Sequence, residues 1–172
     1  MKQENLNTEM KFKKRFKFGE NWRNYIKNIN DDRIKKAENS LKNMLHQENL
    51  IGKNFLDIGS GSGLFSLAAR NLGASVLSFD FDETSVCCTK ELKKKFYPGD
   101  NDWKITQGSI LDKEFLATLN KYDYVYSWGV LHHTGNMWEA LNNVIKLVKF
   151  NGTLFISIYF FKYKKVNKLL SH

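Results

Sequence analysis

Residues 54–65 read NFLDIGSGSGLF, with Asp57 two positions ahead of three alternating glycines, Gly59, Gly61 and Gly63, and with Ser60 between the first two. Glycine lets the main chain turn through left-handed conformations and approach a ligand with no Cβ in the way. Such a loop, placed between a strand and a helix, is a cradle for a nucleotide-like ligand. The dinucleotide fingerprint G-x-G-x-x-G, counted from Gly59, requires glycine at position 64, where the chain has Leu64. The spacing is instead G-x-G-x-G.

Charge narrows the choice of ligand. A pyrophosphate beside Asp57 would be repelled, whereas a ligand carrying a sulfonium and an ammonium gains from a neighbouring carboxylate. S-adenosylmethionine is such a ligand, and it is the cofactor expected here. Asp80 closes the next apolar run, 17 residues beyond Gly63, close to the spacing at which an acidic side chain accepts hydrogen bonds from ribose hydroxyls.

Methyl transfer from a sulfonium is an in-line displacement with a neutral leaving group, so the protein has to align the partners and exclude water. Neither a nucleophilic side chain nor a metal is required. No metal site is expected, because among four histidines only His132 and His133 adjoin, and neighbours on a regular element cannot both aim at one ion. Cys87 and Cys88 are adjacent and lack C-x-x-C spacing; Cys88, Leu92 and Phe96 instead recur every four residues, as packing positions on a helix do. His133, and less so His132, follows the run that ends at Trp128 and titrates near neutrality, which makes it the candidate general base. A histidine that shapes the loop by hydrogen bonding is the alternative.

The elements that must position these residues alternate. Asp31 or Asp32 is expected to cap a helix showing Ile34, Ala37, Leu41, Met44 and Leu45 on one face. KNFLDI reads as a strand, LFSLAARNLGA as a helix closed by Gly73, SVLSFD as a strand and TSVCCTKELKKKF as a helix. WKITQG, a short helix DKEFLATLN and YDYVYSWG follow. A helix from Asn136 shows Met137, Leu141, Val144, Ile145 and Val148 on one face and is expected to end at Asn151-Gly152, before a fifth strand TLFISIYFF. Strands alternating with helices, several apolar on both faces, predict an α/β fold with a doubly wound, mostly parallel sheet.

At this point the chain, from about Lys53 to Tyr159, resembles the class I S-adenosylmethionine-dependent methyltransferases. The D-x-G-x-G-x-G loop carries the resemblance, with SFDFDETSV after the second strand. YDYVYSWGVLHHTGNMWEALNNVIKLVKFNGTLFISIY is similar to the branch that methylates quinone precursors and other small molecules. The resemblance implies a Rossmann-like core in which Gly59, Ser60, Gly61 and Gly63 line the methionine portion of the cofactor, Asp80 binds the ribose and Phe81 lies along the adenine. It implies that the main chain near Ser127 and Trp128 faces the amino acid part. Many relatives carry an aspartate after the third strand; here Ser109 stands in its place, offering a hydroxyl, with Ile110 offering an apolar face.

The whole chain, 172 residues with 42% hydrophobic and 14% aromatic content, is long enough for one domain with a core. It divides into a basic arm and helix (1–50), the cofactor-binding core (51–160) and a basic tail (161–172). Phe18, Trp22 and Tyr25 in the arm are candidates for a lid over the cofactor. The net charge of +9 resides in the two ends: 12 Lys/Arg against 7 Asp/Glu in residues 1–50, and 4 against none in 161–172. Lysine-rich solvated flanks account for this, and nucleic acid is the less favoured partner. No apolar run approaches the roughly 18 residues of a membrane span, and the N-terminus lacks the apolar segment of a secretory signal, so a cytoplasmic protein without a membrane partner is expected.

The expected function is methyl transfer to a small-molecule acceptor. An RNA methyltransferase and a cofactor-binding protein without turnover are the alternatives. SWGVLH lacks the proline-containing motif typical of enzymes that methylate base amino groups. The family's sheet usually has seven strands, and only KYKKVNKLLSH follows the fifth run. The expectation is therefore a C-terminally truncated sheet of about five strands without the last hairpin, whose fifth-strand edge is open to self-association.

Overall fold

The computed structural model describes residues 28–159. Helix α1 (Asp31–Leu45) buries Ile34, Ala37, Leu41 and Leu45, the stripe expected from their spacing. Its cap is Asn30 rather than Asp31 or Asp32: Asn30 is extended, and its side chain accepts from the main-chain N–H of Arg33 at 3.0 Å. The two aspartates occupy the first turn instead, where their charge complements the helix dipole.

The chain then alternates through β1 (Asn54–Ile58), α2 (Leu64–Asn71), β2 (Ser75–Asp80), α3 (Glu83–Phe96), β3 (Trp103–Gln107), α4 (Lys113–Ala117), β4 (Tyr122–Trp128), a 3-10 turn (Leu131–His133), α5 (Met137–Lys146) and β5 (Val148–Ser157). The five strands form one sheet in the order β3-β2-β1-β4-β5, every pairing parallel. The expected doubly wound α/β architecture is the one observed.

Two apolar clusters cover the sheet. One joins α1 and α2 to Phe55, Leu92, Trp103 and Tyr126, and the other joins Leu56, Ile58, Phe79 and Val125 to Leu131 and α5. Phe55 and Leu56 are consecutive and face opposite clusters, which is why β1 reads as an unbroken apolar run.

The last strand departs from expectation. It begins at Val148, not Thr153, and Val148 leaves the face of α5 to pair with Tyr122. The N–H of Tyr122 donates to the carbonyl of Leu147 at 2.8 Å, which draws the chain into the sheet directly after the helix. Asn151, at a φ of 60°, and Gly152 then lie inside the strand, next to a register shift between Tyr122 and Tyr124. They form a bulge where the sequence suggested a turn.

Between β1 and β4 the direction of strand addition reverses, and the carboxyl ends of strands at such a reversal are where open α/β sheets bind ligands. The described part of the expected core ends at Tyr159; the lid candidates Phe18, Trp22 and Tyr25 and the basic tail lie outside the described residues. No helix among the described residues is long and apolar enough to cross a membrane.

Candidate functional site

The glycine loop is fastened to the end of β2. The N–H groups of Gly59 and Ser60 donate to the carbonyl of Phe79 at 2.8 and 3.2 Å. The N–H of Gly61 donates to Oδ2 of Asp80 at 3.0 Å, and Oδ1 of the same carboxylate accepts from the N–H of Asp82 at 2.9 Å.

Two of the glycines are dictated by space as well as by their left-handed conformation. A Cβ on Gly59 (φ +75°) would lie 2.4 Å from a methyl of Val130, just past β4. One on Gly63 (φ +79°), the cap of α2, would lie 2.8 Å from the methyl of Thr89 on α3. Thr89 also shares a 3.0 Å hydrogen bond with the hydroxyl of Ser60. The loop is thus clasped between α3 and the segment after β4.

Asp57 sits beneath the loop. It is 3% exposed, with Ser78 beside it on β2 and Tyr126 beside it on β4. Its Oδ2 accepts from the hydroxyl of Ser66 at 2.5 Å, Ser66 accepts from Ser78 at 2.7 Å, and Ser78 accepts from the indole N–H of Trp103 at 2.9 Å. This buried file of polar groups runs from β3 to β1 under α2. Burial, assisted by the charge of Asp80, pushes the Asp57 carboxyl up to about 7. Burial likewise raises Asp80 to about 6, against the main-chain N–H groups that favour its ionised form. The hydroxyl of Tyr126 is buried with no hydrogen-bond partner among the described residues.

The end of β3 closes one flank. The N–H of Gly108 donates to the carbonyl of Asp80 at 3.1 Å, and the side-chain amide of Gln107 donates to the carbonyl of Phe81 at 3.0 Å. The main chain of Phe81 is therefore held at the end of β2, and its side chain is half-buried. Ser109 accepts from the N–H of Leu111 at 3.1 Å. Ile110 is only 3% exposed and belongs to the second apolar cluster, and its carbonyl accepts from the amide of Asn143 at 2.9 Å.

The end of β4 closes the other flank. Ser127 is buried and donates to the carbonyl of Ile58 at 3.2 Å. Trp128 is 43% exposed and belongs to an aromatic group with Phe65, Tyr126 and Phe155, at centroid separations from 4.9 to 6.5 Å. Gly129 lets the ring of Tyr159 cross the strand end, where a Cβ would meet it at 2.9 Å. Tyr159 presents its ring edgewise to Trp128 and to His132, at 6.4 and 5.8 Å. The rings of His132 and His133 are 4.0 Å apart, and burial lowers the pKa of both. Both ring nitrogens of His132 are buried without a hydrogen-bond partner among the described residues.

The fold therefore gathers Gly59, Ser60, Gly61, Gly63, Asp80 and Phe81 at one mouth, with Val130 carrying the strand end after Trp128 against Gly59. Ser127 and Ile110 support it from below. Sequence reading missed the file through Ser66, Ser78 and Trp103, the aromatic wall, Tyr159 and the unpartnered nitrogens of His132. The period-two alternation of Tyr124, Tyr126 and Trp128 was a legible sign of the wall.

A parallel sheet with a glycine loop and an acid at its reversal point defines the class of α/β proteins that cradle a nucleoside. A family model described as "Methyltransferase domain" matches residues 56–154, and the chain belongs to that family. It is 30% identical over 135 residues to a ubiquinone biosynthesis O-methyltransferase of Pelagibacter ubique, covering 77% of this chain and 50% of that protein. It is 28% identical over 130 residues to the protein-lysine methyltransferase METTL21E of Mus musculus, covering 72% of this chain and 52% of that protein. The chain thus spans about half the length of these curated relatives. The crystal structure of magnesium protoporphyrin IX methyltransferase from Synechocystis with bound SAM superposes with a TM-score of 0.56 at 20% identity, covering 67% of this chain and 54% of that one, which establishes likeness of fold.

Proposed function

We propose that the chain binds S-adenosylmethionine at the Gly59–Gly63 loop and takes part in methyl transfer to a small-molecule acceptor. The observation that carries this reading is the hydrogen bond from the Gly61 N–H to Asp80, which ties a side-chain-free loop to a carboxylate at the reversal point of the sheet. The two oxygens of Asp80 accept from the main-chain N–H groups of Gly61 and Asp82, with the N–H of Phe81 also favouring the ionised form, and a carboxylate has about four acceptor sites, so capacity is left for a ribose hydroxyl. Ser109 and Phe81 flank the place for the adenine. The main chain at Ser127 and Trp128 flanks the place for the amino acid part.

Asp57 acts through its charge and not by contact, because its carboxylate is turned to Ser66 under α2. A cationic ligand favours ionised Asp57 and Asp80, and the empty site disfavours both. The cofactor supplies an activated methyl group when bound. The chain's own residues fix its orientation, and the wall of Trp128 and Tyr159 keeps water from the acceptor side. His133 remains the sequence-based candidate to take a proton from the acceptor. His132, whose ring nitrogens have no partner among the described residues, is the second, and both imidazoles are biased to the neutral, proton-accepting form.

The similarity to a ubiquinone biosynthesis O-methyltransferase supports a small acceptor with a hydroxyl group. Calorimetry with S-adenosylmethionine and with NAD tests the cofactor, and tighter binding of NAD would overturn the assignment. Transfer of a labelled methyl group, screened over phenols, amines and peptides, tests the acceptor. Labelling of peptides alone would replace the small-molecule reading.

A further inference from the structure

At the far edge of the sheet, α3 and the edge strand β3 enclose a groove of about 900 Å³ lined by Lys90, Lys93, Lys94, Lys104, Tyr97 and Asp100, among others. Its charge is one-sided. Asp100, the carboxylate in the lining, is held by Arg70 through contacts of 2.6 and 3.3 Å, and the same guanidinium reaches Asp102 at 3.3 Å. Arg70 thereby holds the Asp100 carboxyl below the ordinary range. Lys90 and Lys94, one turn apart on α3, and Lys104 on β3 are exposed. None of the three joins an ion pair among the described residues.

The fourth lysine shows what the groove is not built for. The carbonyl of Asp102 is taken by the N–H of Val76 on β2, so the next carbonyl, that of Trp103, faces away from the sheet. Lys93 donates to it at 2.5 Å. An ammonium on an outward carbonyl blunts the edge against an added strand, which weighs against an extended peptide. What remains is a cluster of exposed ammonium groups, Lys90 and Lys94 from α3 and Lys104 from β3, lining one open groove, a charge complement to the phosphates of a single backbone.

We infer that this groove binds the phosphate backbone of a single-stranded nucleic acid. The site lies on the α3–β3 flank and does not depend on the methyl-transfer reading.

Fluorescence anisotropy of the full chain with a labelled oligouridylate, from about 50 to 200 mM salt, tests the inference. Three phosphate contacts would contribute a salt slope of about −2, at roughly −0.7 per phosphate on a single strand. Joint replacement Lys90→Glu, Lys94→Glu and Lys104→Glu should weaken binding by on the order of tenfold or more and remove that part of the slope. The three corresponding Lys→Gln changes should do the same to a lesser degree. Circular dichroism and S-adenosylmethionine titration of the same variants should match the parent chain, so failure here is separate from failure of the cofactor site. Parental affinity and slope in both triple variants, loss confined to Lys162→Glu, Lys164→Glu and Lys165→Glu in the tail, tighter binding of polyglutamate than of oligouridylate, or no oligouridylate binding at the lowest salt would each overturn the inference.

Discussion

The main-chain N–H of Gly61 lies 3.0 Å from Oδ2 of Asp80, so the loop after β1 and the acid that ends β2 form one hydrogen-bonded unit. Asp80 thus orders the loop, and in the proposed function it also receives the ribose. The separation of these two tasks governs what its replacement should do.

Asp80→Ala should weaken S-adenosylmethionine binding by about 1–3 kcal/mol, the range for losing hydrogen bonds to a charged acceptor. Asp80→Asn, which keeps an oxygen for the Gly61 N–H, should lose less. Calorimetry checks both, and an unchanged affinity in the alanine variant would remove Asp80 from the site.

The unliganded protein should lose stability as pH rises through about 6 and 7. Burial raises Asp80 and Asp57 to those values, so the native state holds protons that the unfolded chain has released. Their contribution is full below the ordinary carboxylate range and disappears as both groups ionise. Denaturant unfolding across pH 4–8 should show a decline of a few kcal/mol, flattened in Asp57→Asn and reduced by saturating S-adenosylmethionine. A stability that climbs from pH 5 to 8 at these sites would contradict the burial of charge described here.

Both imidazoles past β4 should be neutral at pH 7. Heteronuclear magnetic resonance should place their titration below that of a free histidine, about 6.5. With an acceptor in hand, His132→Ala and His133→Ala separate the two candidates: the variant of the proton acceptor should lose on the order of 100-fold in turnover with cofactor affinity nearly unchanged. Loss of cofactor affinity or of folding stability in both would assign the pair to shaping the loop.

Among the described residues no strand lies beyond β5, and Leu154, Phe155, Ile156 and Ile158 are only half-buried, with Phe150 94% exposed. A sheet edge of this kind invites pairing with another chain. Light scattering is expected to show concentration-dependent association, suppressed by Phe155→Lys. A monomer at all concentrations, with strongly protected amides from Phe155 to Ile158, would mean that the edge is already covered.

Much of this arrangement was legible because glycines and apolar runs punctuate the chain at each strand-to-helix change. What escaped depended on pairing between distant residues. Lys149 to Gly152 read locally as a helix end and a turn, but Tyr122, whose N–H bonds to Leu147, makes them a bulged strand. Asn30, Asp31 and Asp32 are all good caps, and only the extended conformation of Asn30 selects it. Ser66, Ser78 and Trp103 carry no motif; they become a file because the register sets Ser78 beside Asp57 and Val76 beside Trp103. The same limit let the sequence rank His133 ahead of His132 with no sign of the buried His132 ring nitrogens, since which ring nitrogens lack partners among the described residues is a property of the packed turn.

The strand order also sets an itinerary for folding. The glycine loop and Asp80 belong to one contiguous β1-α2-β2 segment, with Phe55 paired to Val76, whereas β1 meets β4 only by joining Phe55 to Tyr124. Closing the longer loop costs more chain entropy and slows the step that requires it. The cradle for the nucleoside is therefore expected to acquire protection before Val130 arrives to lock Gly59, a sequence of events that pulse-labelled hydrogen exchange during refolding would resolve. A nascent chain would then hold the β1–β2 half of the proposed cofactor site before the segment after β4 has joined it.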